Sequence, residues 1–142
     1  MDERYLRFKN KLSAIVSEAK DIVDKESPKD YENKQAYRIA NQIYDEVDVL
    51  LDKLEYLSKP AIEGKLREMD NEKFELVSAG KYISYFSCGS RIEVYDPEEK
   101  EWHLGRVEHR SGQDGSGYYF FCRSMGNPFL FTGMQARIRR DY

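Results

Sequence analysis

The spacing of apolar residues changes near Pro60. Before Pro60, apolar residues recur every three or four positions, which is the period of a helix with one buried face. After Pro60, apolar and polar residues alternate over short stretches between turn-forming residues, which is typical of β-strands. The pattern predicts an α+β protein with an antiparallel helical hairpin over residues 1–59 and a small antiparallel β-barrel domain over residues 60–142.

Two apolar seams with alternating spacings of three and four predict the two helices. The first seam consists of Tyr5, Phe8, Leu12, Ile15, Ala19 and Ile22, and it is widened by Leu6, Val16 and Val23. The second consists of Ala36, Ala40, Ile43, Val47, Leu50, Leu54 and Leu57. Between them, Ser27 is predicted to cap the second helix, with Pro28 in its first turn and Asp30 three residues after the cap. Because the linker is short, we expect antiparallel helices that pack seam to seam.

The second helix carries more apolar residues than its seam uses. The additional residues are Tyr37, Tyr44, Val49, Leu51 and Tyr56. One interpretation is that the hairpin buries them within itself and against the β part. The other is a coiled-coil-like surface for a second copy of the chain or for a partner helix. Both interpretations stay open, and a homodimer through the hairpin is one expectation.

Short alternating stretches predict the strands after Pro60. Residues 65–69 and 74–76 form a hairpin signal, with Asp70-Asn71 able to take the positive φ of a tight turn. Further strands are predicted over residues 82–86, 91–95, 102–107, 118–122, 129–131 and 136–138. Ile92 and Val94 are expected to point inward. Strands of this length and number, separated by frequent turns, favour a closed or nearly closed barrel.

In the strand predicted over residues 102–107, the apolar residues do not all fall on one face. Trp102 and Leu104 share one face, whereas Val107 has the opposite parity. A bulge at Gly105 is therefore predicted to return Val107 to the core. Within residues 88–139, a Gly-Ser turn, an alternating strand, an acidic loop, a tryptophan and a bulged strand follow one another. This succession resembles an SH3-like or Tudor-like barrel.

A second resemblance covers roughly residues 61–142. It rests on Gly64-Lys65-Leu66, Phe74-Glu75-Leu76, the run from Gly89 to Val94, Trp102 with Arg106-Val107-Glu108, Tyr118-Tyr119, and the run from Leu130 to Ile138. These segments resemble a family of uncharacterised domains in Firmicutes phages and conjugative elements. The family has no assigned activity, so the resemblance implies no catalytic residue. It implies a mobile-element setting, in which small proteins often bind host machinery, as anti-CRISPR proteins do.

Composition narrows the class of protein. The chain has 142 residues, of which 40% are hydrophobic, and a net charge of −3. Such a chain can build a core, and its overall charge does not indicate a nucleic-acid binder. There is no apolar stretch long enough to span a bilayer and no signal peptide at the start. Cys88 and Cys122 make no disulfide framework, so we expect a cytoplasmic protein with reduced thiols and no membrane partner.

Catalytic and metal-binding patterns are weak. Cys88, Cys122, His103 and His109 are the residues that could supply a nucleophile, a base or metal ligands. No local motif links them, and their spacing lacks the close ligand pairs of structural zinc sites. Cys122 lies in an apolar stretch, where a free cysteine acts as a small hydrophobe. The sequence therefore predicts no catalytic residue, no cofactor and no metal.

Charge is uneven within the β part. From His103 to the end of the chain, six arginines stand against three acidic residues. The predicted basic face consists of Arg106, Arg110, Arg123, Arg137, Arg139 and Arg140. Tyr118 and Tyr119 are the predicted aromatic contacts, because exposed rings stack on bases. Alternatively, these arginines are ordinary strand-edge charges and the aromatic residues belong to the core.

An acidic face is also predicted. It consists of Glu93, Asp96, Glu98, Glu99 and Glu101. Carboxylates at this density can mimic nucleic acid and enter the basic channel of a nuclease, although a solvated loop is the simpler interpretation.

These observations favour a non-enzymatic binding protein of mobile-element type. The leading expectation is an inhibitor of a host defence nuclease, such as a CRISPR effector, that acts by protein–protein contact. The alternatives are a nucleic-acid-binding SH3-like module and a structural homodimer through the hairpin.

Overall fold

The computed structural model describes residues 1–25, 28–113 and 115–141. The chain divides into two compact units, a helical hairpin (Met1–Pro60, with Asp141) and a β-domain (Ala61–Arg140). The hairpin contains helices α1 (Glu3–Val23) and α2 (Tyr31–Leu57). The β-domain contains β1 (Ala61–Glu68), β2 (Phe74–Ser78), β3 (Lys81–Tyr85), β4 (Arg91–Asp96), β5 (Glu101–Arg110), β6 (Gly117–Phe121), a 3₁₀ turn (Arg123–Met125) and β7 (Gln135–Arg139). The predicted α+β class is confirmed.

The start of α2 differs from the prediction. The helix begins at Tyr31, and Asp30 caps it by accepting a hydrogen bond of 3.3 Å from the backbone N–H of Asn33. Ser27, the predicted cap, lies outside the described residues. The Asp30 carboxylate also accepts a hydrogen bond of 3.0 Å from the Asn33 side chain, which holds it in the capping position. These bonds, the side-chain one first, hold the pKa of Asp30 below its usual value.

The helices are antiparallel, as predicted, but they meet along rotated faces. The hydroxyl of Tyr37, near the start of α2, donates to the carbonyl of Val23 at the end of α1 over 3.1 Å. The buried residues of the hairpin are Val16, Ala19, Ala40 and Leu51. Val16 is one of the residues expected to widen the α1 seam, whereas Leu51 lies outside the α2 seam. Since Ile15 and Leu50 of the predicted seams are exposed, the helices meet along faces rotated from the centres of those seams.

The seven strands form one antiparallel sheet in the order β3-β2-β1-β7-β4-β5-β6. One face of the sheet surrounds a single core, whose members are Leu66, Phe74, Leu76, Phe86, Ile92, Val94, Val107, Phe120, Leu130, Met134, Ala136 and Ile138. A sheet with one shared core on one face must curl. It is nevertheless open, because β3 and β6 are edges that the described pairings do not join. The β-domain is thus a curled sheet and not a closed barrel.

The β4–β5 register contradicts the predicted bulge at Gly105. Pairing is continuous, with Ile92 opposite Gly105 and Val94 opposite His103. Val107 therefore reaches the core without a bulge, while Trp102 and Leu104 lie on the outer face. Gly105 lies on the core face, and the Phe120 ring packs directly against its backbone. A Cβ at Gly105 would come within 2.8 Å of that ring.

The β1–β2 hairpin is present where the sequence predicts it, but its turn is built differently. The positive φ belongs to Glu72, at 67°, and not to Asp70 or Asn71. Asn71 instead stabilises the turn through its side-chain oxygen, which accepts from the backbone N–H of Lys73 at 3.1 Å.

In the described part of the chain, neither helix is apolar enough over sufficient length to cross a membrane.

Candidate functional site

Arginine side chains lie over aromatic rings on the outer face of the β-domain. The guanidinium carbon of Arg137 lies 4.1 Å from the ring centre of Trp102, and that of Arg106 lies 4.3 Å from that of Phe121. Arg110 contacts two rings in the same way, Tyr119 at 4.6 Å and Phe129 at 4.1 Å. We call this set the arginine–aromatic face; it consists of Trp102, Arg106, Arg110, Tyr119, Phe121, Phe129 and Arg137.

Strand alternation explains why these residues share a face. The core contains Ile92, Val94, Val107 and Phe120. Side chains alternate along a strand, so the residues directly before and after each of these in the same strand point outward. Cross-strand pairing then places Arg106 opposite Phe121 and Glu108 opposite Tyr119. The face is therefore the solvent side of a sheet whose other side is the core, which makes it a rigid platform.

Glu93 joins two of the arginines. It is 3% exposed although it lies on the outer face of β4. Its carboxylate accepts hydrogen bonds from Arg137 at 3.0 and 3.1 Å and from Arg139 at 2.9 Å. A buried carboxylate needs such partners, because an unpaired charge costs several kcal/mol in a low-dielectric site, on the order of 3–5. The Glu63 carboxylate lies 3.7 Å from Arg137 as well, so two carboxylates and two arginines make up this cluster.

Like charges also face one another across β4 and β5. Arg91 is the direct cross-strand partner of Arg106. Arg106 contacts the Glu108 carboxylate at 3.1 Å, and its side chain remains 52% exposed. Like charges directly opposite one another are unfavourable unless an opposite charge lies nearby, and the Glu108 carboxylate supplies one beside Arg106.

The predicted basic residues do not form one patch. Arg106, Arg110 and Arg137 belong to the arginine–aromatic face, and Arg139 adjoins it through Glu93. Arg123 lies in the 3₁₀ turn, and Arg140 donates to the carbonyl of Ile83 at 3.2 Å. Tyr119 belongs to the face, whereas Tyr118 lies on the other side of β6 and packs against the core.

Three residues of this region were missed by sequence reasoning. They are Arg91, Trp102 and Phe129. Trp102 was placed in the core because the assumed bulge reversed the parity of its strand. An unbroken alternation from Trp102 to Arg110 would have placed Trp102, Arg106 and Arg110 on one outward face.

The predicted acidic residues separate into two environments. Glu93 is buried among arginines, as described above. Asp96, Glu98, Glu99 and Glu101 lie at the β4–β5 turn, which we call the acidic turn. Asp96 shapes this turn, because its carboxylate accepts from the backbone N–H groups of Glu98 at 2.9 Å and Glu99 at 3.4 Å.

His103 lies beside the acidic turn and is nearly buried. Its Nδ1 is 2.7 Å from the Ser124 hydroxyl, which is in turn 3.1 Å from the Cys122 sulfur. The ligand atoms of His103, Asp96 and Glu99 lie within 4.8 Å of one another, a spacing that suits either a divalent cation or an ion pair with a protonated imidazole. A groove of about 650 Å³ elsewhere in the β-domain is lined by other residues, including Gly64, Val77 and Gly133.

Comparison with known proteins identifies the β-domain. Residues 64–138, more than half of the chain, match the family described as Domain of unknown function (DUF5348). The chain belongs to this family. The DUF5348 match includes β2 to β6 in full and most of β1 and β7, so it contains the arginine–aromatic face and the acidic turn and excludes both helices. No curated protein and no solved structure matches the chain.

Proposed function

We propose that the protein is a non-enzymatic binding protein and that its arginine–aromatic face binds nucleic acid. The stacking of Arg106, Arg110 and Arg137 on aromatic rings carries this proposal. Stacking holds the guanidinium planes of Arg106 and Arg110 in place, and the Arg106 side chain remains 52% exposed, so it can still offer N–H groups to a phosphate. Arg137 is already bound to Glu93 and stabilises the Trp102 side of the face. Preorganised donors lose less conformational freedom on binding than mobile lysines would.

Single-stranded nucleic acid suits this face better than a duplex. Unpaired bases stack on aromatic rings and on guanidinium planes, and both surfaces alternate here. In a duplex the base faces are covered, so only phosphate contacts would remain. The net charge of −3 belongs to the whole chain, whereas binding depends on the local charge around Arg106 and Arg110 on the outer face of the β-domain.

Removing two arginines of the face should weaken nucleic-acid binding strongly. In fluorescence anisotropy at low salt, we expect labelled single-stranded DNA or RNA to bind more tightly than a duplex of the same sequence. The Arg106→Gln/Arg110→Gln variant should lower the affinity about tenfold or more and reduce the salt slope by roughly 1.4, since each phosphate contact contributes about 0.7.

A matched control separates the face from net charge. Arg7→Gln/Arg38→Gln removes the same two charges from exposed positions of the helices and should leave affinity nearly unchanged. Equal losses in both variants would show that only total charge matters. An absence of binding at low salt would exclude the proposal.

A second candidate function is inhibition of a host defence nuclease. The acidic turn favours it, because Glu98, Glu99 and Glu101 are exposed around a turn whose backbone Asp96 holds. Fixed carboxylates of this kind can occupy the basic nucleic-acid channel of a nuclease. The resemblance of residues 61–142 to domains of Firmicutes phages and conjugative elements supports an anti-CRISPR-like role in a mobile element.

Neutralising two carboxylates of the acidic turn should weaken such inhibition strongly. An RNA-guided DNA nuclease of a Firmicutes host would be assayed for target cleavage with increasing amounts of the protein. We expect dose-dependent inhibition that the Glu98→Gln/Glu99→Gln variant reduces about tenfold or more and that the exposed-helix control Asp21→Asn/Asp24→Asn retains. Undiminished cleavage, or inhibition by the turn variant at full strength, would count against this role.

A further inference from the structure

Helices α1 and α2 expose large apolar side chains. Six of them are between 42% and 59% exposed: Tyr5, Phe8, Ile15, Ile22, Ile39 and Leu50. On α1, Phe8, Ile15 and Ile22 are spaced by seven residues, which is close to two helical turns, so they form one stripe. Ile39 and Leu50 lie eleven residues apart on α2, which is close to three turns, and they form the corresponding stripe.

The two stripes lie on the same side of the hairpin. Ile15 directly precedes buried Val16, and in α2 Ile39 directly precedes buried Ala40, as Leu50 precedes buried Leu51. One residue rotates a helix by about 100°, so each stripe is rotated by that angle, in the same sense, from the face that packs on the other helix. In an antiparallel pair this rotation directs both stripes to one side. We call the result the hairpin stripe.

The exposed area matches what a dimer of modest size needs. Side chains of this size at about half exposure leave on the order of 100 Å² each. The five that lie in the stripe leave roughly 500 Å² per protomer, so two copies face to face bury roughly 1,000 Å², which is about the least that a specific interface needs.

The stripe of α1 is self-complementary about Ile15. Phe8 and Ile22 lie at equal distances from it along the helix, and Lys11 and Glu18 lie four and three residues away with opposite charges. A two-fold axis near Ile15 therefore brings Phe8 against Ile22 of a second α1, and Lys11 beside Glu18. This is the symmetry that a homodimer requires, and an unrelated partner would have no need of it.

We propose that the occupant of the hairpin stripe is a second copy of this chain, with the two α1 helices antiparallel in a four-helix bundle. The dimer buries the apolar residues that two helices alone leave exposed. It goes beyond the proposed function, because it uses the helices and leaves the arginine–aromatic face and the acidic turn outside the interface.

Sedimentation equilibrium of the full-length protein tests this assembly. We expect a dimer whose dissociation constant rises about tenfold or more in Ile15→Lys, because the substitution places two lysines at the symmetry axis. The control is Val49→Lys. Val49 is 65% exposed and lies two residues before Leu51, on the opposite side of α2, so this variant should remain dimeric. Circular dichroism must show equal helix content in all three proteins.

Two further measurements test the symmetry. Lys11→Glu should weaken the dimer roughly two- to fivefold, and Lys11→Glu/Glu18→Lys should restore it, since a surface ion pair contributes that much. In a Cys88→Ser/Cys122→Ser background, Ile15→Cys should form an intermolecular disulfide on oxidation, whereas Val49→Cys should not. A monomer at every concentration, or a dimer insensitive to Ile15→Lys, would overturn the proposal, whether the stripe then contacts the β-domain or another protein.

Discussion

Substituting alanine for Gly105 is expected to destabilise the β-domain by about 3 kcal/mol, which is severe for a small domain. A Cβ at this position would meet the backbone carbonyl of Phe121 and would come within 2.8 Å of the Phe120 ring. Phe120 is fully buried in the core, and a backbone carbonyl in a sheet cannot move without breaking strand pairing. The substitution must therefore separate β5 from β6 or displace the ring.

Tryptophan fluorescence during denaturant unfolding measures this effect. Trp102 is the single tryptophan of the chain and lies in β5, so its signal reports on the β-domain. Gly112→Ala is the matched control, because a Cβ at Gly112 meets nothing within 4 Å; its unfolding midpoint should stay close to that of the parent protein. If Gly105→Ala unfolded at the parent midpoint, the close packing of Phe120 on β5 would be wrong.

Substituting alanine for Glu93 should cost about 3 kcal/mol of stability, because it leaves Arg137 and Arg139 without their shared partner in a largely desolvated cluster. Glu93 is 3% exposed, and the side chains of the two arginines are 17% and 19% exposed. Pairing of β4 with β7 depends on this cluster, since Glu93 is the direct cross-strand partner of Arg137.

Glu108→Ala provides the comparison for Glu93→Ala. It removes the same residue type from the same outer face, but its partner Arg106 is 52% exposed, so the expected loss is below about 1 kcal/mol. Thermal and denaturant unfolding of the two variants should differ clearly in midpoint. Equal midpoints would mean that the Glu93 cluster is no more stabilising than an ordinary surface pair.

Local pattern was sufficient for part of the candidate site. Arg106, Arg110 and Tyr119 were identified from the surplus of arginines after His103 and from aromatic rings that can stack on bases. Glu93 was grouped with the acidic loop because of its neighbours along the chain, yet β7 brings two arginines to it. A cross-strand partner 44 residues away along the chain, such as Arg137, leaves no mark in the local pattern.

The sequence by itself determined the change from helices to strands near Pro60, the α+β class and the inward positions of Ile92 and Val94, because hydrophobic periodicity depends only on neighbours along the chain. The tertiary structure decided the rotation of α1 against α2, the outward position of Trp102 and the open edges of the sheet. Each depends on which surfaces meet. Val16 and Leu51 are buried, whereas Ile15 and Leu50 at the centres of the predicted seams stay exposed. The Phe120 ring occupies the space that a side chain at position 105 would fill. Such choices follow from shape complementarity between distant segments, which periodicity does not encode.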